Sequence, residues 1–567
     1  MIRDLKKILR RFFVREGREI YPDEIMLDSS NLPNFNTHQF EGRIIKPISF
    51  NLIVFLGALF FIIVILFSVK IWNLQVVKGE ENNQISENNR LRYTPIFAER
   101  GAVLDRNGVE LAWNAKGEDE YIWERRYATS TGMAHILGYV KYPSKDIYGF
   151  YYREDYEGKD GVEKLWNDTL KGINGLNIVE TNALGKIVSQ NTIKSPISGK
   201  NMTLSIDSRL SNQIYKEISA LATDYDYEGG AGMIMDITNG EVIANVSYPE
   251  YKSQVLTDGK DDDLINEYIN SKNGYFLNKT TDGLYTPGSI VKLFMSMGVL
   301  NEGIIDPNKN ILSTGAIEVP NDYDPTKKAV FKDWKAHGWV DMRHAIAVSS
   351  NVYFYTVGGG FEDQKGLGIS NIEKYFKMFG FGTAVKDDFF GGANGLIPTP
   401  EWKMKTFNGE TWRRGDTYHT SIGQYGFQVS PIQVVRAVAS IANNGILPNL
   451  SLLKGNIPTL DEGNIINIPT KYFQVVREGM RLAVTEGTAK AVNVPHIEIG
   501  AKSGTAEVGV KKEKINSWIT GFFPYDKPRY AFVMLMEKGP NTSTIGAAYI
   551  MRQTLDWMNI NTPEYFK

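Results

Sequence analysis

The stretch Tyr285-Thr-Pro-Gly-Ser289-Ile-Val-Lys292 holds the residue types for nucleophilic catalysis. Pro287 and Gly288 break the chain before an apolar run, which places Ser289 on the first turn of a helix. Lys292, three residues on, shares its face. A serine hydroxyl is a weak nucleophile until a base takes its proton. A lysine one turn away serves as that base if burial or a second cation lowers its pKa. The helix start also offers backbone N–H groups and a positive dipole end to a developing oxyanion.

Alone the pattern is weak, because S-x-x-K recurs at Ser451-Leu-Leu-Lys454. S-x-N occurs at Ser29, Ser49, Ser86, Ser189, Ser271 and Ser349, and K-[ST]-G at Lys502-Ser503-Gly504. Required in the order S-x-x-K, S-x-N, K-[ST]-G, only Ser289, Ser349-Ser350-Asn351 and Lys502 qualify, since no S-x-N lies between Ser451 and Lys502. A lone Ser289 would read as a helix cap and a lone Lys502 as a solvated lysine on a strand edge.

The elements that must position these residues follow from hydrophobic period. Met202–Ile206 alternates like a strand and Ser208–Leu221 has helical spacing. Ala231–Met235 and Glu241–Val246 read as a hairpin around Thr238-Asn239-Gly240, and Ser517–Phe523 with Tyr530–Glu537 as another. Helices are expected at Ile290–Leu300, Val340–Val348, Pro431–Asn443 and Thr544–Trp557. Strands at both ends with helices between predict an α/β (α+β) fold, an antiparallel sheet flanked by helices with the termini meeting.

The chain has 567 residues, 42% hydrophobic, 12% aromatic and 23% charged, which excludes a largely disordered or collagen-like polymer. With 63 Lys+Arg against 65 Asp+Glu, a bulk basic surface for nucleic acid is not expected. There is no cysteine, and the six histidines are scattered, so neither a thiolate nucleophile nor a metal site is expected. Leu52–Val69 is an uncharged apolar run, long enough with Ile48 and Phe50 to cross a bilayer. Lys6, Lys7, Arg10, Arg11, Arg15, Arg18, Arg43 and Lys46 precede it, which favours the N-terminus inside and the rest of the chain outside the cytoplasm. Residues 1–18 pattern either as an amphipathic helix at the inner leaflet or as a solvated tail. Four parts are expected: a cytoplasmic tail, 1–47; a transmembrane helix, 48–70; a charge- and Tyr-rich N-terminal pedestal, 71–200; and a catalytic domain, 201–567.

The ordered triplet resembles the signature of penicillin-binding proteins and class A β-lactamases. Glu99-Arg-Gly-Ala-Val-Leu-Asp-Arg-Asn-Gly108 and Gly161-Val-Glu-Lys164 through Leu170-Lys-Gly172 resemble the N-terminal module of class B penicillin-binding proteins. Ser86-Glu-Asn-Asn-Arg-Leu-Arg92 and Pro95-Ile96 are similar to the elongation branch, penicillin-binding protein 2, more than to the division branch. Gly415-Asp416-Thr417 and Ile422-Gly-Gln424 resemble the segment beside the active site. Two departures stand out: Ser503 where Thr is more usual, and Tyr425 interrupting the family's Gly-Gln-Gly.

The resemblance implies a D,D-transpeptidase that cross-links peptidoglycan stem peptides, is acylated by β-lactams and needs no cofactor. Ser289 would be the nucleophile, Lys292 the acylation base, Ser349 a proton relay and Asn351 a holder of Lys292 and the substrate amide. Lys502 would supply positive charge, Ser503 and Thr505 would bind the substrate carboxylate beside Gly504, and the N–H groups of Ser289 and Thr505 would form the oxyanion hole. A SEDS glycosyltransferase of the RodA type and the scaffold MreC are the implied partners. Other readings are a division-type enzyme, a β-lactamase, a non-enzymatic β-lactam sensor and a silent scaffold. The short tail argues against a sensor, the membrane segment against a β-lactamase, and the intact triplet against a scaffold.

Overall fold

The computed structural model of the protein describes residues 49–82, 91–117, 122–147, 151–181, 187–321, 324, 326–385, 392–457, 459, 464–509 and 511–567. The expectations for the tail 1–47 and for the segment beginning at Ser86 lie outside the described residues, apart from the backbone of Leu91 and Arg92. Chain contacts divide into two units, residues 1–94 with 177–191 and residues 95–176 with 192–567.

In the first unit, helix α1 (Phe50–Trp72) starts at Ser49, whose hydroxyl accepts from the Leu52 amide at 3.4 Å. It carries no charge before Lys70 and continues as a π-helical turn, Asn73–Val77. Its 23 residues span about 35 Å, against roughly 30 Å of bilayer hydrocarbon. It is thus long and apolar enough to cross a membrane. The polar Ser68 hydroxyl donates to the Val64 carbonyl at 2.8 Å, so it adds no unsatisfied donor. A three-stranded sheet has the order Leu91–Ile96, Gly175–Thr181, Ile187–Lys194, of which residues 91–94, 177–181 and 187–191 belong to this unit.

In the second unit, a small sheet orders Met202–Thr203, Val103–Leu104, Glu110–Lys116 and Trp123–Tyr127. Buried Arg100 and Arg125 converge on Glu163 at 2.6 and 2.7 Å. Two guanidiniums on one carboxylate hold Glu163 ionised, below the usual carboxylate range although burial opposes this. Asp105 accepts from the amides of Asn107 and Val109 and from the Ser208 hydroxyl, closing its turn against helix α2 (Ser208–Tyr225).

The main sheet has five strands: β1 (Gly229–Asp236), β2 (Val242–Tyr248), β3 (Gly500–Val508), β4 (Lys514–Phe523) and β5 (Tyr530–Pro540). Their order is β2-β1-β5-β4-β3 and every pairing is antiparallel. The predicted meeting of the chain ends is the β1–β5 pairing. Both faces are buried, which explains the unbroken apolar run of β5. Val533 and Leu535 face one core with Met233, Met235, Trp518 and Phe522. Phe532, Met534 and Met536 face the other with Ile234, Ile519 and, from α2, Ile214 and Ile218. The first core is roofed by helices α3 (Lys292–Asn301), α4 (Met342–Ala347), α5 (Asn351–Gly359) and α6 (Pro431–Ala442), the second by α2 and α7 (Ala547–Asn561).

Three predicted elements differ. The strand expected at Met202–Ile206 is only Met202–Thr203 plus a bridge at Leu204, because Asp207 must cap α2, accepting from the Arg209 amide at 3.0 Å. The helix expected from Val340 begins at Met342. Val340 ends a short strand, and Asp341 caps α4 by accepting from the His344 amide at 2.9 Å. The last helix begins at Ala547 rather than Thr544, where the Ser517 hydroxyl accepts the Ala547 amide at 3.1 Å, and runs on to Asn561.

Candidate active site

Ser289 sits in a 3-10 turn, Gly288–Val291, that leads directly into α3. Gly288 holds φ at +57°, and a Cβ there would lie 2.6 Å from the Thr505 carbonyl oxygen. Only glycine lets the turn pass this close to β3. Gly504 answers from the strand side: a Cβ on it would lie 2.8 Å from the Ile290 side chain and 3.0 Å from the Pro287 carbonyl. The glycines of the first and third motifs thus set the approach of the Ser289 turn to the strand. Trp518 of β4 ties down the same loop, its Nε1 donating to the Thr286 carbonyl at 3.0 Å.

Lys292 is fully buried. Its Nζ donates to the Ser349 carbonyl at 2.7 Å, to Ser349 Oγ at 3.3 Å and to Asn351 Oδ1 at 2.7 Å. The Phe354 ring covers it at 5.5 Å. Burial pulls the Lys292 ammonium down to about 7, opposed by the negative charge of Asp333. Of the two routes to a basic lysine, desolvation is therefore the main one.

Ser349 lies between α4 and α5 with φ at +58°, a strained conformation for a residue with a side chain. Asp333 over-determines it. Its Oδ2 accepts the Ser350 hydroxyl at 2.8 Å and the Val352 amide at 3.0 Å, and its Oδ1 accepts the Trp334 amide at 2.9 Å. Burial alone would raise the Asp333 carboxyl. The Asn351 and Val352 amides, the Ser350 hydroxyl and the Lys292 charge hold it below its ordinary value. Sequence reading missed Asp333, because Lys332-Asp333-Trp334 sits at no motif spacing and its role appears only when the chain folds.

Lys502 is fully buried, not a solvated edge residue, although β3 is an edge strand. Its Nζ donates to the Ser503 carbonyl at 2.8 Å. Burial, and then the Lys292 charge, push it well below an ordinary lysine. Ser503 Oγ donates to Thr488 Oγ1 at 2.7 Å. The methyl-free Ser503 therefore keeps its hydroxyl ordered.

Ser289, Ser349, Asn351, Ser503, Gly504 and Thr505 line one cavity of about 1010 Å³. The two lysines lie behind this lining, Lys292 joined to it through Ser349 and Asn351 and Lys502 through the Ser503 carbonyl. The lining also includes Asp333, Trp334, Tyr355, His419, Gln424 and Tyr425. Asp416, from the family-like segment, pairs with buried Lys403 at 2.7 Å and accepts the Arg413 amide at 2.8 Å, which starts the helix bearing His419. Such a site can raise a serine nucleophile, supply a base poised near neutrality and hold an anion beside β3.

The family described as the penicillin binding protein transpeptidase domain matches residues 230–556. The chain belongs to that family. The penicillin-binding protein dimerisation domain matches residues 118–204. Among curated relatives, peptidoglycan D,D-transpeptidase MrdA of Haemophilus influenzae is 30% identical over 526 residues, covering 86% of this chain and 78% of that one. The penicillin-binding protein PBP2 of Pseudomonas aeruginosa, solved with WCK 5153, is 28% identical with a TM-score of 0.68 and covers 83% of this chain and 98% of that one. PBP2 of Helicobacter pylori, solved in complex with MreC, is 26% identical with a TM-score of 0.68, covering 83% and 99%. Among penicillin-binding proteins, then, this chain resembles the PBP2 branch, the one its N-terminal motifs pointed to.

Proposed function

We propose that this chain is a membrane-anchored peptidoglycan D,D-transpeptidase of the elongation type. Ser289 attacks the penultimate D-Ala carbonyl of a stem peptide and releases the last D-Ala, and an amine from a neighbouring stem resolves the acyl-enzyme. Lys292 takes the Ser289 proton, Ser349 relays it to the leaving amine, and Asn351 holds Lys292 and the substrate amide. Ser503 and Thr505 bind the terminal carboxylate, with Lys502 behind them, and the N–H groups of Ser289 and Thr505 form the oxyanion hole. The observation that carries this reading is a fully buried Lys292 brought to about 7 and bonded to Ser349 and Asn351, one turn from Ser289. A base near the working pH is what serine activation needs.

The same reading divides the chain into a cytoplasmic tail (1–47), a transmembrane helix (48–70), a pedestal (71–200) and the transpeptidase domain (201–567), with the catalytic part outside the cytoplasm. The two family matches, 118–204 and 230–556, support this division. MreC is the proposed scaffold, supported by the complex of the Helicobacter pylori relative. A RodA-type glycosyltransferase is the proposed polymerising partner, on the family resemblance.

The deciding experiment is intact-mass analysis of the purified protein with benzylpenicillin over hours. A stable single adduct mapping to Ser289, absent from Ser289→Ala, is the expected result. Rapid loss of the adduct with release of hydrolysed drug would indicate a β-lactamase instead, and persistent labelling of Ser289→Ala would sink the assignment of the nucleophile.

A further inference from the structure

Gly288 and Gly504 bring the first motif against the third, and Lys292 bonds the first to the second. A link between the second and the third runs through Thr488, a residue of no motif that lines the catalytic cavity. Its amide donates to the Ala347 carbonyl at 3.0 Å, and its hydroxyl reaches the same oxygen at 3.5 Å. Ala347 is the last residue of α4, two before Ser349. On its other side Thr488 Oγ1 accepts from Ser503 Oγ at 2.7 Å. Gly487 permits this seat. A Cβ on it would lie 2.0 Å from the Ala347 carbonyl oxygen, so a residue with a side chain would push Thr488 off the end of α4.

A hydroxyl has one proton to give and two lone pairs to receive. Here the protons run one way: Ser503 donates to Thr488, and Thr488 points at the Ala347 carbonyl. The inference rests on the transpeptidase reading above, in which Ser503 binds the terminal carboxylate. A carboxylate only accepts, so Ser503 must turn its proton to it. That leaves Ser503 Oγ a free acceptor beside Thr488. The Thr488 proton then exchanges a long bond for a short one. The Ala347 carbonyl keeps the Thr488 amide at 3.0 Å, so no buried group loses its last partner. Lys502, behind Ser503, is pushed by burial well below an ordinary lysine, which leaves more of the anion's recognition to hydroxyl donors.

We propose that Thr488 is a positioning residue for the carboxylate site. It holds the Ser503 hydroxyl between α4 and β3, and it reverses its bond when substrate arrives, donating to Ser503 while Ser503 donates to the carboxylate. Two O–H bonds reorient and no covalent bond breaks. Chained donors of this kind strengthen one another, so the anion meets a better donor than a lone serine.

The test is stopped-flow acylation of the full-length protein by benzylpenicillin, whose carboxylate stands for that of the terminal D-Ala. It reads the half-saturating concentration and the limiting rate separately. Thr488→Val keeps the shape and removes the hydroxyl. It is expected to raise the half-saturating concentration about five-fold or more, the worth of one hydrogen bond, with the limiting rate within about two-fold of the parent. Thr488→Ser restores the hydroxyl and should match the parent in both readings. An unchanged half-saturating concentration in Thr488→Val overturns the proposal. So does a parallel fall in the limiting rate, which would make Thr488 a support for the whole cleft. A Thr488→Ser variant that behaves like Thr488→Val overturns it as well, because the methyl and not the hydroxyl would then matter. If the parent protein forms no adduct at Ser289, it is the transpeptidase reading that has failed.

Discussion

Asn351 Oδ1 accepts from Lys292 Nζ at 2.7 Å, joining the second motif to the first in the interior. A neutral amide there leaves the lysine free to lose its proton, whereas a carboxylate would add an ion-pair partner and favour the ammonium. Asn351→Asp is therefore expected to slow benzylpenicillin acylation at pH 7 by at least ten-fold and to move its rising limb to higher pH. Asn351→Ala should slow it without that displacement, and stopped-flow acylation across pH separates the two.

Burial brings Lys292 to about 7. The base form is the deprotonated one, so the acylation rate of the parent protein should rise with pH through about 7 and level off above it. The folded chain holds fewer protons at this site than the unfolded chain between about 7 and the ordinary lysine value, so this group makes stability rise with pH across that window. A rate that is flat from pH 6 to 8 would remove Lys292 from the role of base.

Asp333 raises Lys292 by charge and holds Ser350 and Val352 by hydrogen bonds. Asp333→Asn keeps an acceptor and removes the charge, so the rising limb of acylation should move to lower pH with the fold retained. Asp333→Ala strands a buried hydroxyl and an amide at about 1–3 kcal/mol each. Its urea midpoint should fall well below that of Asp333→Asn.

Tyr425 offers a test of backbone strain. At φ +66°, glycine is relaxed and alanine is not. Both Tyr425→Gly and Tyr425→Ala lose the ring packing against Trp402, Phe407 and Trp412, but the glycine variant should be the more stable by about 1 kcal/mol. Equal urea midpoints would mean that the loop relaxes once the ring has gone.

The ordered motifs were legible because each marks a backbone need as well as a side chain. Gly288 and Gly504 permit the contact that brings the Ser289 turn against β3. The sheet was legible in Tyr530–Glu537 because a strand buried on both faces is apolar throughout. Asp333 was not legible: a single carboxylate in a charged stretch declares nothing until α4 and α5 bring Ser350 and Val352 to it. Nor was the burial of Lys502, since an edge strand ordinarily shows its lysines to water.

The sheet also has a temporal meaning. β5 lies between β1 and β4, yet it is the last strand to be synthesised, and its partner β1 emerges nearly 300 residues earlier. Until residue 540 is made, the β1–β2 hairpin and the β3–β4 hairpin have nothing to join them. The Ser289 turn, which leans on β3, thus gains its completed sheet only once β5 is made. A chain that stops before Tyr530 leaves two unjoined hairpins with open edges, a target for quality control and not a partly working enzyme.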